Sequence, residues 1–146
     1  MGQTYLMPPD DVNLFLNTAR SKLDSDDDWQ INDQEWAGGK INKTRTYMAE
    51  TGITSQDIKQ VIKELSVANY SSTQDDTNIH FPGEKVWIFG ITKNLIDHDE
   101  DLYIKLKLRK IDDEYLLIMS FHPEQPTIPE DKLEFPYLNY NIKQHK

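Results

Sequence analysis

A tyrosine and three basic residues occupy every second position in one stretch of the chain: Tyr103, Lys105, Lys107 and Arg109. The residues interleaved with them are aliphatic: Leu102, Ile104, Leu106 and Leu108. Successive side chains of a β-strand point to opposite faces, so this alternation predicts a strand whose aliphatic set faces a core. The tyrosine and the three cations are then expected to share the opposite face.

A second apolar run returns after an acidic turn and ends in a histidine. The turn is too polar to bury, so the two runs are predicted to form a β-hairpin. Assigning Leu117, Met119 and Phe121 to the core leaves Ser120 and His122 on the side of the cations.

These residue types are the ones that RNA cleavage requires. The 2′-hydroxyl is the nucleophile, and the protein must supply a base, an acid for the leaving 5′-oxygen and cations that stabilise the added negative charge. His122, with an ordinary pKa of about 6.5, can act as base or acid, and Tyr103 can act as acid or donate a hydrogen bond to phosphate. Lys105 is placed to bind the scissile or an adjacent phosphate, and Lys107 and Arg109 extend this phosphate-binding track.

Each of these residues also has a purely structural interpretation. The hairpin could be a half-solvated antiparallel sheet whose exposed side is rich in lysine. In that case Tyr103 packs on the sheet and His122 only ends the strand before a proline. Lys107, Arg109 and Lys110 are then solvated surface charges.

Helices are predicted in the first half of the chain. One begins at Pro8-Pro9 and ends near Leu23, with apolar residues at three- and four-residue steps. A short second helix runs from Lys43 to Glu50 and is closed by Gly52, and Thr54 caps a third.

The segments between the helices and the hairpin are predicted from composition. Ser66 to Phe81 is polar and is interpreted as a loop, whereas Glu84 to Thr92 contains V-W-I-F-G-I and is predicted to be a buried central strand. Trp87 and Phe89 are expected to pack in it. Prolines in the C-terminal tail, residues 123–146, rule out a long helix or a central strand there.

Length and order together predict one α+β domain over residues 1–146, with the N-terminal helices packed on one face of a small antiparallel sheet. The chain has no cysteine, which excludes disulfides, thiolate zinc sites and cysteine nucleophiles. No apolar run is long enough for a membrane span, so a cytoplasmic location without membrane partners is expected. The net charge of −9 is uneven, because an acidic N-terminal extension, residues 1–36, carries eight acids against two basic residues.

Acidic residues in D-S-D-D-D-W-Q-I-N-D-Q-E also match part of a calcium-loop spacing, from Asp24 to Glu35. Trp29 stands where the sharp turn of such a loop requires glycine, and Gly38-Gly39 blocks the exiting helix. An acidic loop without calcium is therefore the favoured interpretation.

Four segments in this order form a recognisable succession: K-T-R-T-Y-M-A-E-T-G-I-T-S-Q-D-I-K-Q-V-I-K-E-L-S-V-A-N-Y, V-W-I-F-G, Y-I-K-L-K-L and I-M-S-F-H-P. The succession resembles the MqsR family of toxin–antitoxin toxins, which are endoribonucleases with a RelE-like fold. The match covers about Lys40 to Glu124.

The resemblance implies a metal-independent ribonuclease toxin that cuts messenger RNA, free or on the ribosome, and is silenced by a cognate antitoxin. Tyr103 falls where the family has its active-site tyrosine, and His122 falls where the best-known member places a catalytic lysine. Two positions depart from the pattern, because Ser71 replaces a lysine and Ile88 replaces a glutamine. The alternative function is a non-catalytic member of this fold that binds a protein partner through its acidic N-terminal region.

Overall fold

The computed structural model describes residues 4–32, 42–76, 83–111, 113–124 and 133–139. The elements in chain order are β1 (Thr4–Tyr5), α1 (Pro9–Leu23), β2 (Trp29–Ile31), α2 (Lys43–Thr51), α3 (Ser55–Lys63), β3 (Tyr70–Asp75), β4 (Lys85–Asn94), β5 (Asp99–Ile111) and β6 (Asp113–Pro123). The strands form one sheet in the order β1-β3-β4-β5-β6-β2, in which only the β2–β6 pair is parallel among the described strands. The predicted α+β class is confirmed.

The helices begin and end at the residues that the sequence marks. α1 starts at Pro9, whose missing N–H costs nothing in a first helical turn. Asn42 caps α2 by accepting a hydrogen bond from the backbone N–H three residues on, and Gly52 ends it in the left-handed conformation with φ 76°. Thr54 and Asp57 form a reciprocal capping box at α3. The three predicted helices are therefore confirmed.

The larger of two apolar clusters joins buried side chains from α1, α2 and α3 with side chains from β3 to β6. Phe15 of α1 stacks on Trp87 with ring centroids 4.4 Å apart, and Phe89 is fully buried beside them. Leu102, Ile104 and Leu106 belong to this cluster, and Leu108 packs against it partly buried. The core assignments for β4 and β5 are thus confirmed.

The strand β6 contains a β-bulge that the sequence pattern did not predict. Lys105 pairs with Ser120 while the next residue of β5 pairs with Ile118, so Met119 is an extra residue in β6. Before the bulge, Ile118 faces the larger cluster, whereas Met119 packs in the smaller cluster on the opposite face. After the bulge, Phe121 returns to the larger cluster.

Two predicted orientations in β6 are therefore wrong, and the bulge is the reason. Leu117, paired with Lys107, and Met119 do not face the larger cluster, because the extra residue reverses the alternation. The predicted orientation of Phe121 is confirmed, and His122 lies opposite Tyr103, on the face that was predicted for it.

Part of the predicted loop from Ser66 to Phe81 is a strand. β3 pairs with β4 along Thr73 to Asp75 and places Tyr70 in the core, where the phenol hydroxyl is hydrogen bonded to Thr73 at 2.6 Å. The loop prediction is wrong for these residues, since strand pairing rather than hydrophobic content holds the polar run Y-S-S-T-Q-D in the sheet. Residues 77–82 of the predicted loop lie outside the described residues.

The acidic segment that was compared with a calcium loop is also partly regular. Asp26–Asp28 forms one turn of 3₁₀-helix, and β2 follows at once, paired with β6. The carboxylate of Asp24 lies 2.6 Å from Lys63 Nζ, whose hydrogen bond and charge lower the Asp24 pKa. Within the described ranges no group of three or more His, Asp or Glu side chains could hold a metal ion, and Glu35 lies outside them.

The described part of the C-terminal tail, residues 133–139, packs on the domain through its aromatic residues. Tyr137 stacks on Tyr70 with centroids 5.8 Å apart and donates a hydrogen bond to the backbone oxygen of Met7 at 2.8 Å. Of the helices in the described ranges, none has the length and apolar character needed to cross a membrane.

Candidate functional site

The predicted catalytic pair lies together on the sheet face opposite the larger cluster. Tyr103 of β5 and His122 of β6 are direct cross-strand partners, and their rings stack with centroids 5.3 Å apart and an interplanar angle of 18°. Such a pair is held rigidly, because both side chains project from paired strands. The structure therefore brings these two side chains into contact.

Both rings are almost inaccessible to solvent. Tyr103 is 4% exposed and His122 is 5% exposed, although the surface of a two-layer sheet would ordinarily be open on this side. Tyr103 belongs to the smaller apolar cluster with Val86 and Ile88, against which Leu133 of the C-terminal tail packs. Tyr103 is thus covered in part by the chain's own tail.

The backbone fixes the proton on the histidine. Nδ1 of His122 lies 3.0 Å from the carbonyl oxygen of Pro123. A carbonyl oxygen can only accept, so Nδ1 carries the hydrogen in a neutral ring and Nε2 carries the lone pair. A neutral imidazole held in this tautomer can remove a proton through Nε2.

One predicted phosphate-binding cation adjoins the pair. Lys105 Nζ lies 5.8 Å from the centroid of the Tyr103 ring, and the side chain is half-buried. A cation at this distance from an aromatic face is attracted by the ring quadrupole. Tyr103, His122 and Lys105 therefore form one group, which is called the Tyr–His–Lys group below.

The other two predicted phosphate-binding cations are engaged with carboxylates. Lys107 is fully buried and forms ion pairs with Asp76 and, at 2.8 Å, with Glu84. Arg109 lies 3.4 Å from Glu84 and 4.0 Å from Asp76. The expectation that Lys107 is exposed or solvated is wrong, because acidic residues before β4 meet it on this face. Its phosphate-binding role and that of Arg109 remain predictions.

The two positions that depart from the resemblance lie near the group. Ile88 packs against Tyr103 in the smaller cluster, and Ser71 is buried with its hydroxyl accepting a hydrogen bond from the backbone N–H of Glu134 at 3.3 Å. Neither side chain carries a charge. The positive charge of the Tyr–His–Lys group therefore comes from Lys105 of β5.

Sequence reasoning missed one residue that supports the histidine strand. Thr44 of α2 is buried, and its hydroxyl accepts a hydrogen bond from the backbone N–H of Phe121 at 2.9 Å. The contact joins residues 77 positions apart, and no local pattern indicates it. The bulge and Thr44 together fix the backbone immediately before His122.

His98, the other histidine among the described residues, is not part of this arrangement. His98 is exposed and lies 2.7 Å from Glu100, while His80 and His145 lie outside the described residues.

Comparisons of the chain with models of protein families, with curated proteins and with solved structures gave no match. The chemistry of the site is accordingly argued from its own geometry.

Proposed function

We propose that the protein is a metal-independent endoribonuclease that cuts messenger RNA, the toxin of a toxin–antitoxin pair with a RelE-like arrangement of helices layered on one face of the sheet. The observation that carries the proposal is the stacked contact between Tyr103 and His122, with Lys105 beside it. The residues brought together are a base, a hydroxyl donor and a cation, which are the groups that transesterification of RNA needs. The larger cluster, which joins the three helices to the strands, supports the proposed layering.

In the proposed reaction, Nε2 of His122 removes the proton from the 2′-hydroxyl of the RNA. The 2′-oxygen attacks phosphorus, so that a bond to O2′ forms and the bond to O5′ breaks, leaving a 2′,3′-cyclic phosphate. The Tyr103 hydroxyl donates its proton to the departing O5′, which leaves as a 5′-hydroxyl. Lys105 balances the charge that accumulates on phosphate.

The proposed partners are messenger RNA, free or on the ribosome, and an antitoxin that silences the enzyme. In the second candidate function, given below, the acidic N-terminal extension is the surface for a basic partner, since complementary charge accelerates association. The described acids of this region include exposed side chains at Asp26 and Asp27.

A second candidate function is a non-catalytic interaction module on the same fold. The observation that favours it is the pairing of Lys107 and Arg109 with Asp76 and Glu84, which weakens the positive field that an RNA-binding face needs. This candidate predicts the same fold without RNA cleavage.

Single-turnover cleavage of a mixed messenger RNA in the presence of EDTA tests the proposal. We expect His122→Ala to lower the rate about 100-fold or more, and Tyr103→Phe to lower it about 10-fold, because each removes one proton-transfer or hydrogen-bonding group. His98→Ala is the matched control, since His98 is exposed, lies before β5 and contacts Glu100. Equal rates for all four proteins would refute the proposed site, and no cleavage by the wild type would favour the interaction module.

A further inference from the structure

Residues 133–139 cross the sheet face that carries the Tyr–His–Lys group. Leu133 packs against the smaller cluster that contains Tyr103, and its backbone N–H donates a hydrogen bond to the carboxylate of Glu124 at 3.1 Å. Glu124 lies two residues beyond His122 on the same chain. The segment is therefore attached beside both members of the pair.

The same segment has further attachments. The backbone N–H of Glu134 donates to the Ser71 hydroxyl, and the Tyr137 ring stacks on Tyr70. These contacts join the segment to β3, two strands away from β5 in the sheet order. The segment thus starts on the face of the Tyr–His–Lys group, at Leu133, and reaches the larger cluster at Tyr137.

Gly90 allows the segment to lie flat against the sheet. Gly90 is the cross-strand partner of Tyr103, and a Cβ atom built there would lie 2.5 Å from Leu133 Cδ1 and 2.9 Å from Phe135 Cζ. Real Cβ atoms do not approach other heavy atoms so closely. A side chain at position 90 would therefore push these two residues away from the face.

The attachment is weaker than core packing. A groove of about 250 Å³ remains between the segment and the sheet, lined in part by Thr92, Asp101 and Leu138. Phe135 is 37% exposed and Leu138 is 62% exposed. A segment held by a few hydrogen bonds and partly exposed apolar side chains opens at a lower free energy than a core element does.

We propose that residues 133–139 form an autoinhibitory strap that closes the RNA-binding face and must lift before RNA reaches His122. This inference rests on the proposed function, because the strap regulates the site proposed there. The strap occupies the row from Ser71 through Gly90 toward Tyr103, which is where an extended RNA strand would have to lie to place a phosphate at the pair. The carboxylates of Glu124 and Glu134 add repulsion toward phosphate while the strap is closed.

A reversible cross-link tests the strap in the full-length protein. The chain has no cysteine, so a disulfide between Ser71→Cys and Glu134→Cys can form without competing thiols, and the native contact already places these residues together. Accessibility of His122 is measured by its modification with diethyl pyrocarbonate and peptide mass mapping, with the exposed His98 as reference in the same molecule.

We expect the oxidised form to protect His122 about tenfold relative to the reduced form, and to cleave RNA about tenfold more slowly, while His98 reacts equally in both. Equal His122 modification in the two redox states would overturn the strap, whatever the cleavage rates are. If the oxidised form protects His122 but neither the oxidised nor the reduced form cleaves RNA, the strap is supported and the proposed ribonuclease function is overturned.

A pair of single substitutions tests the effect of loosening the strap. Leu133→Ala removes the side chain that packs on the Tyr103 cluster, and we expect about fivefold to tenfold greater His122 modification and faster cleavage. Leu138→Ala is the matched control on the same segment, because Leu138 is largely exposed. Equal His122 modification in Leu133→Ala and Leu138→Ala would contradict the proposed strap.

Discussion

Lys107→Met is expected to destabilise the fold strongly, although lysine ordinarily lies on the surface. The Lys107 side chain has no exposed surface, and its ammonium group contacts Asp76 and lies 2.8 Å from Glu84. At an effective dielectric constant of about 20, the attraction to Glu84 alone is about 6 kcal/mol, much of which offsets the cost of removing the ions from water. Methionine fills a similar volume but leaves the two carboxylates without this cation.

The expected loss follows from the surroundings of those carboxylates. Removing one member of a buried ion pair typically costs about 3–5 kcal/mol. The Asp76 and Glu84 side chains keep 12% and 16% exposure and retain Arg109 nearby, so both can regain some solvation. We therefore expect a decrease of about 3 kcal/mol in the free energy of unfolding, at the lower end of that range.

Urea unfolding followed by tryptophan fluorescence measures this quantity. We expect a lower midpoint with an unchanged slope, because the surface exposed on unfolding stays the same. Lys110→Met is the control on the same strand, since Lys110 is exposed and should lose less than about 0.5 kcal/mol. A double-mutant cycle with Glu84→Gln isolates the pair. A Lys107→Met loss no larger than the Lys110→Met loss would refute the reasoning.

Three further perturbations have definite expected outcomes. Tyr47→Phe should leave the free energy of unfolding unchanged or raise it by up to about 1 kcal/mol, because the buried Tyr47 hydroxyl has no hydrogen-bond partner among the described residues. The control Tyr70→Phe removes hydrogen bonds and should cost about 1–2 kcal/mol, and urea midpoints that fall equally in the two variants would contradict the prediction. The lowered pKa of Asp24, caused by Lys63, means that the contribution of Asp24 to stability is present above its ordinary pKa near 3.8 and is lost as pH falls through the lower folded value. Asp24→Asn should therefore flatten the dependence of thermal stability on pH below that ordinary pKa, and an unchanged acid profile would count against the pairing. Gly52→Ala should cost about 1 kcal/mol, because φ is 76° there, and an unaltered melting temperature would argue against that backbone conformation.

The elements that the sequence predicted correctly are those whose signal is local. Gly52 in the left-handed conformation ends α2, and Thr54 caps α3. The alternation of apolar and polar residues in β5 is visible within the strand itself. In each case the residues that decide the structure lie within a few positions of one another. The face that Tyr103 occupies could be read from the same alternation.

The features that sequence reasoning missed depend on residues far apart in the chain. β3 is polar, and its strand conformation comes from pairing with β4. Lys107 is buried because Asp76 and Glu84 converge on it from segments outside its hairpin, and alternation alone gives the face but not the neighbours. The packing of Leu133 against the cluster that contains Tyr103 likewise joins segments far apart in the chain, and no local pattern indicates it.

The sequence pattern gives no indication of the bulge in β6. Apolar residues run continuously from Leu116 to Met119, so the pattern is compatible with either face and contains no mark of the extra residue. The error for Leu117 and Met119 did not reach His122, because the pairing is regular again from Phe121 onward, after the bulge.

The contact between Thr44 and Phe121 also bears on how the molecule avoids self-association. β6 is flanked on its outer side by β2 only as far as Ile118, and beyond the bulge the backbone N–H of Phe121 is taken up by a helix side chain. An unpaired strand edge is a template on which a strand of another molecule can add. Because the Thr44 hydroxyl accepts the hydrogen bond of the Phe121 N–H group, that group is not available to a strand of another molecule. This contact disfavours edge-to-edge pairing of the hairpin with a second chain.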